Sequence, residues 1–273
     1  METIVVGTDF SAPANNAVNY AVSLAKFFNA KLVLVNAYPI PVAGYDAFLS
    51  TEMIAGIQES SSEGLEALKK EIIKKNYDFG IDCVSEAGTS SAVINWVASK
   101  YSADLVVMGM VGEGGFLKRH LFGCSALQAA RDLKIPLFII PEAVTYRRVR
   151  RICFACDMER IEEGTLLYTA RYFASVFGAE IELVTVKHSI EEVSWNKSET
   201  YSLVEKRLQN IKHKSVYIKD NDVSQALEYY FKFHKTDLVL VNPKKHGFFQ
   251  TLFGESVTKN LAFKIEVPLL IVH

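Results

Sequence analysis

Three apolar segments of this chain occur twice, in the same order. Ile4-Val-Val-Gly-Thr-Asp9 returns as Ile152-Cys-Phe-Ala-Cys-Asp157. Asp104-Leu-Val-Val-Met-Gly109 returns as Asp237-Leu-Val-Leu-Val-Asn242, and Ile135-Pro-Leu-Phe-Ile-Ile140 as Val267-Pro-Leu-Leu-Ile-Val272. Ordered self-similarity on this scale is duplication of a whole domain. It restricts the fold severely, because one architecture must suit both halves. The chain has 273 residues, enough for two domains that each bury a core. The join falls at about Ala143–Arg148 and is short, which gives domains 1–143 and 144–273.

The first copy alternates strands and helices. Thr3–Gly7 reads as a buried strand. Ser11 caps the following helix, with Pro13 in its first turn, where a missing N–H costs nothing. Ala17, Val18, Ala21, Val22, Ala25 and Phe28 recur at helical spacing, and Asn29 ends the helix. Further strands are expected at Lys31–Ala37, Asp82–Glu86, Leu105–Met108 and Leu137–Ile140. Helices are expected over roughly Leu49–Asn76, from Thr89 or Ser90 through Val97, and over about Ser125–Leu133. The second copy repeats the plan, with strands at Val149–Ala155, Glu180–Val186, Ser215–Ile218, Leu238–Val241 and Leu269–Val272. Asp222 with Gln225 has the pattern of a capping box. This alternation implies an α/β fold, two tandem open five-stranded parallel sheets with helices on both faces. Ligands in such sheets bind at the carboxyl ends of strands, near the switch in strand order. Asp9, Ala37 and Gly109 stand at such ends.

The copies differ in their glycines. The first runs Gly109-Met-Val-Gly112 and, after a ten-residue spacer, Gly123-Cys-Ser125. Glycine lets backbone approach a ligand closely. A helix opening at Gly123 offers free N–H groups and the positive end of its dipole to an anion such as phosphate. The bland alternative is a turn whose glycines only permit strand-to-helix geometry. This is not a Walker loop, because no Lys-Ser or Lys-Thr follows, nor a dinucleotide fingerprint, because it follows the fourth strand. In the second copy Pro243 removes a backbone donor, Lys245 replaces the second glycine, and Glu255 sets a negative charge beside Gly254. Lys244 and Lys245 leave room for an altered anion site there.

On these residues the whole chain resembles a tandem universal stress protein. Nucleotide-binding members of that family carry Gly-x2-Gly-x9-Gly-Ser/Thr after the fourth strand and an Asp after the first. The run Val6-Gly-Thr-Asp9-Phe-Ser11 matches as well. Here the spacer is one residue longer, and Cys124 stands in the hydroxyl position. The resemblance implies a Rossmann-like fold of the adenine-nucleotide alpha-hydrolase type. It places adenine near Gly7, Thr8, Asp9 and Ala37, and the ribose and phosphates near Met108, Gly109, Val111 and Gly112. Gly123, Cys124, Ser125 and Ala126 would offer helix-terminal amides to the phosphates. The implied cofactor is ATP, with or without Mg. The resemblance also implies that the two domains pair through their last strands, and it allows a homodimer.

Other candidates read as structure. Cys124 at a helix start has the setting of a redox-sensitive thiol, but also of a small packed side chain. Cys153 and Cys156 lie on one strand, three apart, so their thiols face opposite sides. Arg147, Arg148, Arg150 and Arg151 read as solvated strand-flanking charge. The six histidines lack ligand spacing. Tyr229, Tyr230, Phe231 and Phe233 read as core and interface. No nucleophile–base pair stands out, so the expectation is a binding protein, not an enzyme, with at most slow hydrolysis of ATP. A net charge of −1 gives no global pull toward nucleic acid or membrane. No apolar run approaches a membrane span, no leader pattern opens the sequence, and four cysteines make no disulfide framework. The expected setting is the cytoplasm. Function is expected to be a nucleotide-dependent regulator in stress response. The competing expectation is a ligand-free scaffold that has lost binding.

Overall fold

The computed structural model describes residues 1–38, 51–75, 79–110, 123–158, 161, 164–187, 197–242 and 267–272. They fall into two compact units, Met1–Tyr146 and Arg147–His273. The first unit contains β1 (Thr3–Gly7), α1 (Ala12–Phe28), β2 (Lys31–Tyr38), α2 (Thr51–Lys74), β3 (Ile81–Ala87), α3 (Ser90–Lys100), β4 (Leu105–Met110), α4 (Gly123–Asp132) and β5 (Leu137–Pro141). Its strands lie in the order β3-β2-β1-β4-β5, and each pair is parallel. Chain order therefore reverses between β1 and β4. The central strands are apolar at nearly every position because both faces are covered. Ile4, Val5, Val6, Leu105, Val106 and Val107 are fully buried.

The two faces can be assigned from side-chain direction. Gly7 faces Ile94 of α3, whereas Gly109 faces the first turn of α1. Asn36 on the α1 face bonds Ser61 of α2. On the other face Ser91 of α3 donates to Asp132 of α4 at 2.7 Å. So α1 and α2 cover one face and α3 and α4 the other. Local signals set the helix ends. Ser11 Oγ accepts from the Ala14 N–H at 3.4 Å, and Asn29 closes α1 at φ 52°. Thr89 is the residue that caps α3.

The second unit contains β6 (Arg151–Ala155), α5 (Gly164–Phe177), β7 (Glu180–Lys187), α6 (Lys197–Arg207), β8 (His213–Lys219), α7 (Val223–Phe233), β9 (Leu238–Val241) and β10 (Leu269–Ile271). Its strand order is β10-β9-β6-β7-β8, the same plan. Two expectations need correction. The strand expected from Val149 begins at Arg151, because the Arg150 and Arg151 N–H groups donate to the Asp237 carboxylate, at 2.9 and 3.0 Å. Asp222 caps α7 by accepting from the Gln225 N–H, but its own N–H donates to Asp220, so the reciprocal half of the capping box is replaced. Among the described residues no helix is long and apolar enough to cross a membrane.

Candidate functional site

The carboxyl ends of β1 and β4 form the site. Register pairs Val6 with Val107, so Gly7 lies beside Met108, and Thr8 and Asp9 leave the sheet next to Gly109. This is the reversal point of the strand order, where neighbouring connections run to opposite faces and leave a crevice. The Asp9 side chain is exposed, and its Oδ1 accepts from the Ser11 N–H at 3.0 Å. That turn delivers the chain into α1 and holds a carboxylate at the rim.

What fixes Asp9 is a buried polar chain not visible in the sequence. The Thr8 N–H donates to Val35 O at 2.8 Å. Asn36 Nδ2 donates to Thr8 O at 2.7 Å, Ser61 Oγ to Asn36 Oδ1 at 2.6 Å, and Ser85 Oγ to Ser61 Oγ at 2.6 Å. One relay therefore runs from the β1 loop through β2 and α2 to β3. Beside Asp9, Phe10 adopts φ 62°, a left-handed conformation that costs a bulky residue roughly 1–3 kcal/mol. Two contacts hold it there. Asn15 Nδ2 donates to the Phe10 carbonyl at 3.1 Å, and the ring lies over Gly64 of α2. A Cβ at Gly64 would come within 2.7 Å of Phe10 Cζ. The sequence signals for this clamp, Gly64 inside α2 and the polar Asn36 inside an apolar strand, acquire meaning only in the fold.

Gly109 has a packing role independent of any ligand. A Cβ there would lie 2.5 Å from Pro13 O and 2.8 Å from Pro13 C, backbone atoms that cannot swing away. The glycine lets α1 start flush against β4. At Gly7 a Cβ would meet the Ile94 Cδ1 methyl at 2.6 Å. Ala37, near the end of β2, is half-buried, whereas Met108 and Ala126 are buried in the core. Gly123, Cys124 and Ser125 form the first turn of α4 as expected. Val111 and Gly112 lie outside the described residues, as do the side chains of Cys124 and Ser125.

The second copy keeps the scaffold and alters the rim. Thr185 takes the place of Asn36, its Oγ1 donating to Cys156 O at 2.9 Å, as Asn36 does to Thr8 O. Asp157, the counterpart of Asp9, is ion-paired with Lys187 at 3.1 Å. By register Lys187 stands where the first copy has Tyr38. The carboxylate that the first copy presents at its rim is thus held by the chain's own cation. Pro243, Lys244, Lys245, Gly254 and Glu255 lie outside the described residues.

The described thiols are unsuited to chemistry. Cys153 lies in β6, while Cys156 lies just past its end and not on the strand, and both are free. Burial pushes both thiols well up from the ordinary range. Cys83 is pushed up to about 11 by burial and the nearby Glu66. Among the described residues no group of three or more His, Cys, Asp and Glu is placed to hold a metal ion.

These features define a parallel α/β protein with a candidate site at the β1–β4 reversal point. The model of the Universal stress protein family matches residues 1–141, and the chain belongs to that family. The chain is similar over 99% of its length to a universal stress protein from Archaeoglobus fulgidus DSM 4304, with 95% of that chain covered, 14% identity and a TM-score of 0.71. It is similar over its full length to a putative universal stress protein from Pseudomonas aeruginosa UCBPP-PA14, with 93% of that chain covered, 11% identity and a TM-score of 0.62. It is also similar over 52% of its length to a universal stress protein family protein from Arabidopsis thaliana with AMP bound, with 92% of that chain covered, 15% identity and a TM-score of 0.37. No curated protein matches the chain in sequence.

Proposed function

We propose that the first unit binds an adenine nucleotide, ATP or a close relative, in the crevice between β1 and β4. The protein would act as a nucleotide-dependent regulator in stress response. The observation that carries this reading is Asp9, presented exposed at the β1–β4 reversal beside Gly109 and held there by a dedicated clamp. Family membership supports it. Asp9 would accept from the nucleoside, and the α4 amides would face the phosphates. The described groups bind and orient, which favours a binding protein over an enzyme.

One observation is shared with the competing reading, a ligand-free scaffold. Gly109 is required by Pro13 whether or not a nucleotide binds, so this glycine alone does not separate the two. Thermal unfolding with and without Mg-ATP does. At about 100 times Kd the ligand adds about 2.7 kcal/mol to the stability of the unit that binds it. Absence of any shift at millimolar ATP would establish the scaffold reading. Gly112→Val is expected to abolish binding with the fold intact, and unchanged affinity by calorimetry would refute the site. Cys124→Ser is expected to tighten binding, because a hydroxyl is a better donor than a thiol.

A further inference from the structure

We propose that the amino-terminal edge of the second unit, opposite the end of the sheet that carries Asp157, binds a small anion bearing two or more phosphate groups.

The two copies superimpose by register, which permits a residue-by-residue comparison of this edge. In the first unit Thr3 pairs with Lys31, Leu32 with Ile81 and Val33 with Asp82. In the second Arg151 pairs with Glu180, Ile181 with His213 and Glu182 with Lys214. Helix α7 aligns without gaps on α3, from the caps Asp222 and Thr89 to Asp237 and Asp104. Arg150 and Arg151 therefore replace Glu2 and Thr3, and Lys212 replaces Gly80. Lys214 replaces Asp82, and Lys235 replaces Ser102. With Asp104 and its counterpart Asp237 counted, one cation against three carboxylates has become five cations against three. The backbone is the same, so the fold did not demand the change.

The centre of this edge is an ionic cluster in what is apolar core in the sister unit. Glu182 is 7% exposed and stands where Val33 is fully buried. It accepts from Lys214 Nζ at 2.6 Å and from the Tyr230 hydroxyl, and Tyr230 stands where the first unit has Val97. Burial opposes the charge on Glu182, but the bonds from Lys214 and Tyr230 prevail and hold its pKa below the ordinary value. A buried ion pair gains little stability over the apolar pair it replaces. What it does is fix geometry. Glu180 acts likewise, binding Arg151 Nε at 3.0 Å and Lys212 Nζ at 2.6 Å. The two carboxylates hold together cations that would otherwise repel one another.

These cations line a hollow of about 540 Å³ with Lys235 at its side. A second hollow, of about 910 Å³, shares Arg151, Glu180, Lys212 and Lys235 and adds Arg148 and Arg150. The size suits a small ligand. Cations at the starts of β6 and β8 and in the α7–β9 turn, bridged by the β7 carboxylates, suit several phosphates, not one. Lysine serves phosphate as a point charge and arginine as a fork.

Calorimetric titration of the full chain with tripolyphosphate tests the assignment. The expected result is saturable binding that weakens at least about tenfold in Lys212→Ala/Lys235→Ala, two exposed positions whose loss leaves the fold intact. Affinity should be unchanged in Gly112→Val, which separates this site from the nucleotide site of the first unit. No binding at millimolar tripolyphosphate would overturn the proposal. So would equal affinity in the double variant, or loss of binding in Gly112→Val instead. Tighter binding of a single-stranded oligonucleotide than of tripolyphosphate would also refute it in favour of a macromolecular partner.

Discussion

At the scale of single residues, the structure separates two reasons for a glycine that look alike in sequence. Gly109 is small because Pro13 of α1 is 2.5 Å from where its Cβ would be. Gly109→Ala is therefore expected to cost about 1–3 kcal/mol of stability in chemical denaturation, with or without nucleotide. A neutral effect would return Gly109 to a purely ligand-facing role. The cysteines give a second residue-scale expectation. With Cys83 at about 11 and Cys153 and Cys156 pushed up by burial, these thiols are almost wholly protonated at neutral pH. Thiolate is the reactive form, so alkylation of the native protein near pH 7 should be confined to Cys124. Mass spectrometry showing rapid labelling of Cys83 would contradict this. Glycines and caps were legible from sequence because they act on their own backbone. The left-handed Phe10 was not, since nothing in the residue type announces it; it is held by Asn15 and by Gly64, the latter far along the chain.

Elements show the same division. Strands such as Thr3–Gly7 and Leu238–Val241 appear where their apolar runs place them, because central parallel strands must be apolar on both faces. The relay of Asn36, Ser61 and Ser85 joins β2, α2 and β3, and only tertiary contact brings these residues together. Ser61→Ala removes the donor to Asn36 Oδ1 inside a buried site. The expected loss is about 1–3 kcal/mol, accompanied by weaker nucleotide binding as the Thr8–Asp9 loop loosens. Full binding in a destabilised variant would make the relay purely structural. In the second unit, Glu180 and Glu182 both have pKa values below the ordinary 4.5, Glu180 through the bonds from Lys212 and Arg151. Depressed folded values mean a contribution fully present above about pH 4.5 that is lost as pH falls through the folded pKa values. Glu180→Gln/Glu182→Gln should thus flatten the acid side of the stability profile, and an unchanged slope would rule these groups out.

For the whole molecule, duplication supplied two equal scaffolds whose ends then diverged. The first unit keeps its rim carboxylate presented at the β1–β4 reversal. The second carries its cationic cluster at the opposite end of its strands. The proposed single nucleotide site in the first unit predicts that saturation by ATP follows a simple hyperbola. A sigmoidal isotherm would show that sites communicate between chains. The ion pair of Asp157 with Lys187 has a consequence for how such a molecule responds. Lysine tethered beside its own carboxylate is a ligand that never leaves, at a concentration no solute reaches. Under the proposed function, that end of the second unit offers a nucleotide only a carboxylate already engaged, so a signal written by nucleotide is written in the first half.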